Sequence, residues 1–113
     1  MRGLNHRRNV MLRLGEEGIQ WSFDNGYTVS MQWGAMHYCS NKNLTDIPKP
    51  TDSSPNCEIC IIDPNGDAVK LEDDWVRGWV STEKLVGVLA YIQQSKRDAK
   101  LSERRIISLI EDD

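Results

Sequence analysis

Trp21–Gln32 reads WSFDNGYTVSMQ, and its alternation decides the fold. Trp21 and Phe23, then Tyr27, Val29 and Met31, fall on one face of an extended chain. Ser22, Thr28, Ser30 and Gln32 fall on the other, which is the pattern of half-buried strands. Between the two halves sits Asp24-Asn25-Gly26. Asn-Gly is the strongest short hairpin signal, since a two-residue type I′ turn needs positive φ at both central positions. The expectation is a hairpin with its tip at Asn25-Gly26.

A second apolar run, Cys57–Ile62 (CEICII), can lie beside that hairpin, and Asp63-Pro64-Asn65-Gly66-Asp67 supplies turn formers in a usable order. Ala68–Leu71 then returns antiparallel. Two hairpins give a sheet of about four strands. Past the acidic Glu72-Asp73-Asp74, the stretch from Trp75 to Val80 leads into a helix. Ser81 is its N-cap, Glu83 suits the positive end of the helix dipole, and Leu85, Val88, Leu89 and Ile92 recur along one face. Ser102 caps a last short helix, with Leu101 and Ile106 as a hydrophobic staple.

These readings place one α+β domain over residues 1–113: a basic arm at 1–14, a first hairpin at 15–39, a long loop at 40–56, a second hairpin at 57–71, the main helix at 81–97 and a C-terminal helix at 102–111. The arm carries Arg2, Arg7, Arg8 and Arg13 and no acid. It reads either as a loosely docked tail or as a strand or helix built on Val10, Met11, Leu12 and Leu14. The loop holds three of the four prolines; Leu44 and Ile47 are its candidate anchors. The C-terminal helix shows Ile106, Ile107, Leu109 and Ile110, too apolar for a free tail, so it docks on its own domain or forms a homodimer.

Composition narrows the function. A net charge of −3 argues against direct nucleic-acid binding, which rests on a dense positive surface. No apolar run approaches the length of a membrane span, and the N-terminus lacks the apolar core of a signal peptide. Three cysteines in 113 residues fit a reducing compartment better than a disulfide framework. No glycine-rich phosphate loop, nucleophile elbow or histidine–glutamate metal motif is present, which points away from an enzyme.

Three constellations remain as candidate sites. Trp33, Tyr38, Trp75 and Trp79 with Arg77 offer ring faces and a cation, a set suited to stacking a small nucleotide and meeting its phosphate. Glu72, Asp73 and Asp74, with Arg7 and Arg8 at the other end of the chain, are candidate contacts to a protein partner; the acidic run can imitate phosphates in a basic groove. Cys57 and Cys60 with His37 and Cys39 invite a zinc reading, against which residues three apart in a strand point to opposite faces. No metal or other cofactor is therefore expected.

The chain also resembles a widespread group of small bacteriophage-encoded accessory proteins, which share an NGY-V-S strand, a strand with glutamate before hydrophobic residues, and a G-aromatic-hydrophobic-S-x-E helix entry. The matching positions are Asn25, Gly26, Tyr27, Val29 and Ser30, then Glu58, then Gly78, Trp79, Val80, Ser81 and Glu83, within residues 21–39 and 57–94. The resemblance implies a phage product of the host cytoplasm that binds and inhibits host defence or regulatory machinery. It carries over no catalytic residue.

Overall fold

A computed structural model describes residues 11–14, 18–34, 37–40, 42–43, 53–97 and 99–111 of the chain. Five strands, β1 (Met11–Leu14), β2 (Gly18–Ser22), β3 (Thr28–Gln32), β4 (Asn56–Ile62) and β5 (Arg77–Ser81), are followed by two helices, α1 (Thr82–Gln94) and α2 (Glu103–Glu111). The strands form one antiparallel sheet in the order β1-β2-β3-β4-β5. The α+β class stands, with one strand more than the four expected. The extra strand is β1, the last four residues of the arginine-rich arm; Arg7 and Arg8 lie outside the described residues, as do Leu44 and Ile47.

The register builds two apolar rows across one face of the sheet. One runs Leu12, Trp21, Val29, Ile61; the other runs Leu14, Ile19, Met31, Ile59. Both helices lie over the β3–β4 end of these rows. Val29, Ile59 and Ile61 are fully buried there with Val80, Val88, Ile92 and Ile106. The opposite face carries Gln20, Ser22, Thr28, Ser30, Gln32, Glu58 and Cys60 in register, with Ser22 and Thr28 hydroxyls 3.0 Å apart. The strand periodicity read from WSFDNGYTVSMQ thus holds residue by residue.

The hairpin tip differs from the expectation in its turn type. Gly26 N–H donates to the Phe23 carbonyl and Phe23 N–H to the Tyr27 carbonyl, so the loop has three residues rather than two. Only Gly26, at φ 96°, adopts the left-handed region, which is the hairpin built from a type I turn followed by a left-handed glycine. Asp63–Asp67 repeats the same bonds, with Gly66 at φ 91°. The Asn25 side chain has another task. Its amide nitrogen donates to the carbonyls of Ile92 (2.7 Å) and Ser95 (2.8 Å), closing the C-terminal end of α1. Tyr27 Oη donates to the Ala99 carbonyl and Arg97 to that of Asp24, so the tip is clamped onto the connection between the helices.

The second hairpin is corrected more deeply. Ala68 and Val69 do return along β4, bonding at Ile62 and Ile61, but the pairing stops there. A turn across Leu71–Asp74 intervenes, and the strand that pairs with β4 on the side away from β3 is β5, in the stretch read as a lead-in to the helix. Its pairs are Asn56 with Ser81, Cys57 with Val80 and Ile59 with Arg77, with a bulge between Cys57 and Ile59.

The helix ends follow the sequence. Ser81 Oγ accepts from Lys84 N–H at 3.3 Å and Ser102 Oγ from Arg105 N–H at 3.1 Å. Leu101 and Ile106 share the core. Of the four residues expected to make a dimer, Ile106 and Ile110 are buried in the chain's own core, and Ile107 and Leu109 are half-buried against it. The helix docks on its own domain, so its main apolar surface is already covered.

Candidate functional site: an aromatic edge on β5

The outer edge of β5 is where the sequence departs furthest from ordinary backbone preferences. Residues 37–40 lie along it, held by a set of short-range bonds. His37 N–H donates to the Gly34 carbonyl, Cys39 N–H to that of His37 and Lys42 N–H to that of Cys39. Cys39 Sγ sits against Gly34 N at 3.3 Å, and Gly34, at φ 131°, makes the bend there. His37 Nδ1 meets Glu58 Oε1 at 3.0 Å, which fastens this hook to β4. Asn56 secures its far end through Ser40 N (2.7 Å) and Ser40 Oγ (2.8 Å).

The hook joins the sheet by one backbone bond, Trp79 N–H to the Tyr38 carbonyl at 2.8 Å. The approach is close enough that a Cβ on Gly78 would stand 2.4 Å from Tyr38 Cβ and 3.0 Å from its carbonyl oxygen. Glycine is required there for space. Next to it Trp79 takes φ 52°, a conformation that is strained for any bulky side chain. Its ring lies 5.5 Å from that of Tyr38 at 40°, and Lys42 Nζ stands 4.9 Å from the Tyr38 ring centre. Despite this packing Tyr38 is 46% exposed and Trp79 55%. An aromatic pair is held out to solvent at a conformational cost.

Trp75, two residues before β5, is a separate exposed ring. It is 54% exposed, with Lys70 Nζ 5.1 Å from its ring centre. Asp74 Oδ1 accepts from the backbone N–H groups of Trp75 (2.8 Å) and Val76 (3.4 Å), fixing the turn that presents the ring. Glu72, at φ 49°, donates its N–H to the Glu103 carboxylate. With Asn43 at φ 66°, the three non-glycine residues in the left-handed region among the described residues are Asn43, Glu72 and Trp79. Glu72 and Trp79 belong to the 71–74 turn and β5, and Asn43 lies three positions past the hook; backbone strain of this kind clusters at active sites, ligand clamps and switch regions.

The predicted site residues sort as follows. Tyr38 and Trp79 are brought together. Trp75 stands apart from that pair with Lys70. Trp33 lies on the helix-facing side of the sheet instead, lining an apolar cavity of about 300 Å³ with Ile19, Met31 and Leu85. Arg77 is bonded to Glu72 at 2.9 Å and also to the Glu111 carboxylate, so the cation assigned to a phosphate is already held by two carboxylates. Glu72 is the one member of the acidic run it neutralises; Asp73 and Asp74 are exposed.

The zinc candidates separate. Cys57 is buried among the helix-facing residues, while Cys60 shares the polar face with Glu58, and His37 is engaged by Glu58. Among the described residues no group of three or more His, Cys, Asp or Glu side chains is arranged to hold a metal. Burial, with Cys39 and Glu58 nearby, pushes the Cys57 thiol from 9.0 up to about 11; burial and Glu58 raise Cys60 as well. Both shifts disfavour the thiolate that nucleophilic attack requires.

Sequence reading missed three members of this arrangement: Lys42, Lys70 and the His37–Glu58 pair as a fastening. His37 and Glu58 were each singled out, but for other reasons, and their pairing joins residues 21 apart. Comparison with protein-family models, with curated proteins and with solved structures finds no match to this chain.

Proposed function

We propose that this chain is a non-catalytic binding protein that acts by occluding the surface of a protein partner, and that the β5 edge is the contact surface. The observation that carries the reading is Trp79, held at φ 52° with its ring against Tyr38 and more than half exposed. Exposed, rigidly supported aromatic rings are the residues that dominate protein–protein affinity. Asp73 and Asp74, just before Trp75, are exposed, while Lys42 and Lys70 stand on the Tyr38 and Trp75 rings, so the surface sets charges of both signs around its rings and selects a partner surface with complementary charges of both signs. In keeping with the resemblance to phage accessory proteins, the partner is a host factor of the bacterial cytoplasm, and the effect is inhibition, in the manner of anti-defence proteins.

A second reading, a sponge for a small signalling nucleotide, keeps the ring pair Tyr38–Trp79 and the Lys42 ammonium beside it. It loses Arg77 to the two glutamates, which is why protein occlusion is preferred. Capture from host lysate separates the two. A tagged chain is expected to retain a protein at stoichiometric yield, and Trp79→Ala to lose it while staying folded, with melting lowered only by the lost ring contact with Tyr38. A nucleotide released on heating, with no protein retained, supports the sponge. A protein retained equally by Trp79→Ala refutes the assignment of the surface.

A further inference from the structure

The two apolar rows of the sheet run past the point where the helices stop. At the β1–β2 end, on the helix side, Leu12 is 65% exposed, Leu14 83% and Trp21 38%. Among the described residues β1 is the terminal strand, with no further strand beyond it. The other terminal strand, β5, has the hook bonded along its edge. Natural sheets guard an open edge with lysine, proline, a bulge or an inward-pointing charge. Met-Leu-Arg-Leu is guarded by its short length of four residues, but it carries no lysine, proline or bulge, and Arg13 lies on the face opposite Leu12 and Leu14.

We infer that two copies of this chain join β1 to β1 about a two-fold axis, forming one continuous ten-stranded antiparallel sheet. Two symmetric registers pair three residues of β1 with three of its copy, and one of them is complementary. A two-fold perpendicular to the sheet keeps both pairs of helices on one side, so opposed residues must share a face, and the axis must pass through a residue pair. Centring on Arg13 would set arginine against arginine, which is unfavourable for directly opposed residues. Centring on Leu12 sets Leu12 against Leu12 of the second copy and Met11 against Arg13, whose side chains already meet within one chain at 3.6 Å. Leu14 then falls diagonal to Leu12 of the second copy, within reach across the strands. The Leu12-Trp21-Val29-Ile61 row of one copy continues into the same row of the other. The occupant is a second copy because this register satisfies backbone, apolar row and charge with nothing but β1 itself.

The association is independent of the proposed function, since β1 and β5 are opposite edges. Both Tyr38–Trp79 surfaces stay open in the dimer, at its two far ends. The test is light scattering across a dilution series for the whole chain, beside Leu12→Lys and a Leu12→Cys variant read on a non-reducing gel. The expected results are a dimer that dissociates on dilution, a monomer for Leu12→Lys at every concentration that melts as the diluted parent does, and a crosslinked dimer for Leu12→Cys on mild oxidation, because directly opposed Cα atoms fall within disulfide range. Val86→Cys, equally exposed but on α1, should stay uncrosslinked. A parent that is monomeric throughout, or a dimer that Leu12→Lys leaves intact, overturns the proposal, whichever way the capture experiment turns out.

Discussion

The two edges of this sheet are built on opposite principles. At β5 the open ladder is bonded to the hook at 37–40, the fit is tight enough to demand Gly78, and the backbone is bent out of its preferred region at Trp79. At β1 nothing is strained and the apolar side chains stand in solvent. A protein spends conformational strain where a shape must be displayed and leaves an edge plain where the ladder itself is the contact. The first kind of surface selects a foreign partner; the second suits a copy of itself.

The largest effect should come from Gly78→Val. The new side chain collides with Tyr38, and the hook must leave the edge or β5 must shift; we expect a loss of about 3 kcal/mol or more in denaturant unfolding. Leu12→Ser at the other edge should change stability by no more than about 0.5 kcal/mol, the usual range for an exposed site. Equal losses at the two edges would erase the contrast between them.

Asn25→Ala comes next. It removes two bonds to the carbonyls that end α1, and about 1–3 kcal/mol should be lost, visible as a lower melting temperature. A smaller change is expected for Trp79→Gly. Relief of the left-handed strain is worth about 1 kcal/mol, and the lost ring contact with Tyr38 offsets it by about the same amount. Thermal stability should therefore hardly move while partner binding disappears; a large loss of stability would show that Trp79 serves the fold and not the surface.

The smallest effect concerns pH. In the folded chain the Cys57 thiol is raised from 9.0 to about 11, so the native state holds its proton more tightly than the unfolded state does. Its contribution to stability is complete below pH 9 and is lost as the pH climbs toward 11. A Cys57→Ser variant, compared with the parent by chemical denaturation over that range, should show a flatter decline. An identical slope would mean the thiol is not shielded as its burial requires.

How much of this could be read from the residues alone varies with the range of the interactions. Alternation in Trp21–Gln32, the Asn-Gly turn and the Ser81 and Ser102 caps are decided within a few positions, and the faces and helix ends follow them closely. Asn25 shows the limit. Its presence in a turn is legible, but the cap it provides to Ile92 and Ser95 spans 67 and 70 residues. β5 was unreadable for a similar reason. Arg-Gly-Trp-Val-Ser has no alternation long enough to register, and its pairing with β4 is made across the 63–76 excursion. The candidate site was half legible: Tyr38, Trp75 and Trp79 stand out as aromatic, whereas the contact that joins Tyr38 to Trp79 depends on Gly78 and a positive φ that no residue type announces. Arg77 misled in the other direction, because two glutamates distant from the rings claim it.

The central claim is that binding happens at the strained edge and not at the plain one. Oxidative footprinting of the captured complex against the free chain tests it most directly, reading each aromatic residue separately. Trp79, Tyr38 and Trp75 should become protected while Trp21, beside β1, is unchanged. Protection of Trp21 or of Trp33 in the apolar cavity, with Trp79 as reactive as before, would contradict it.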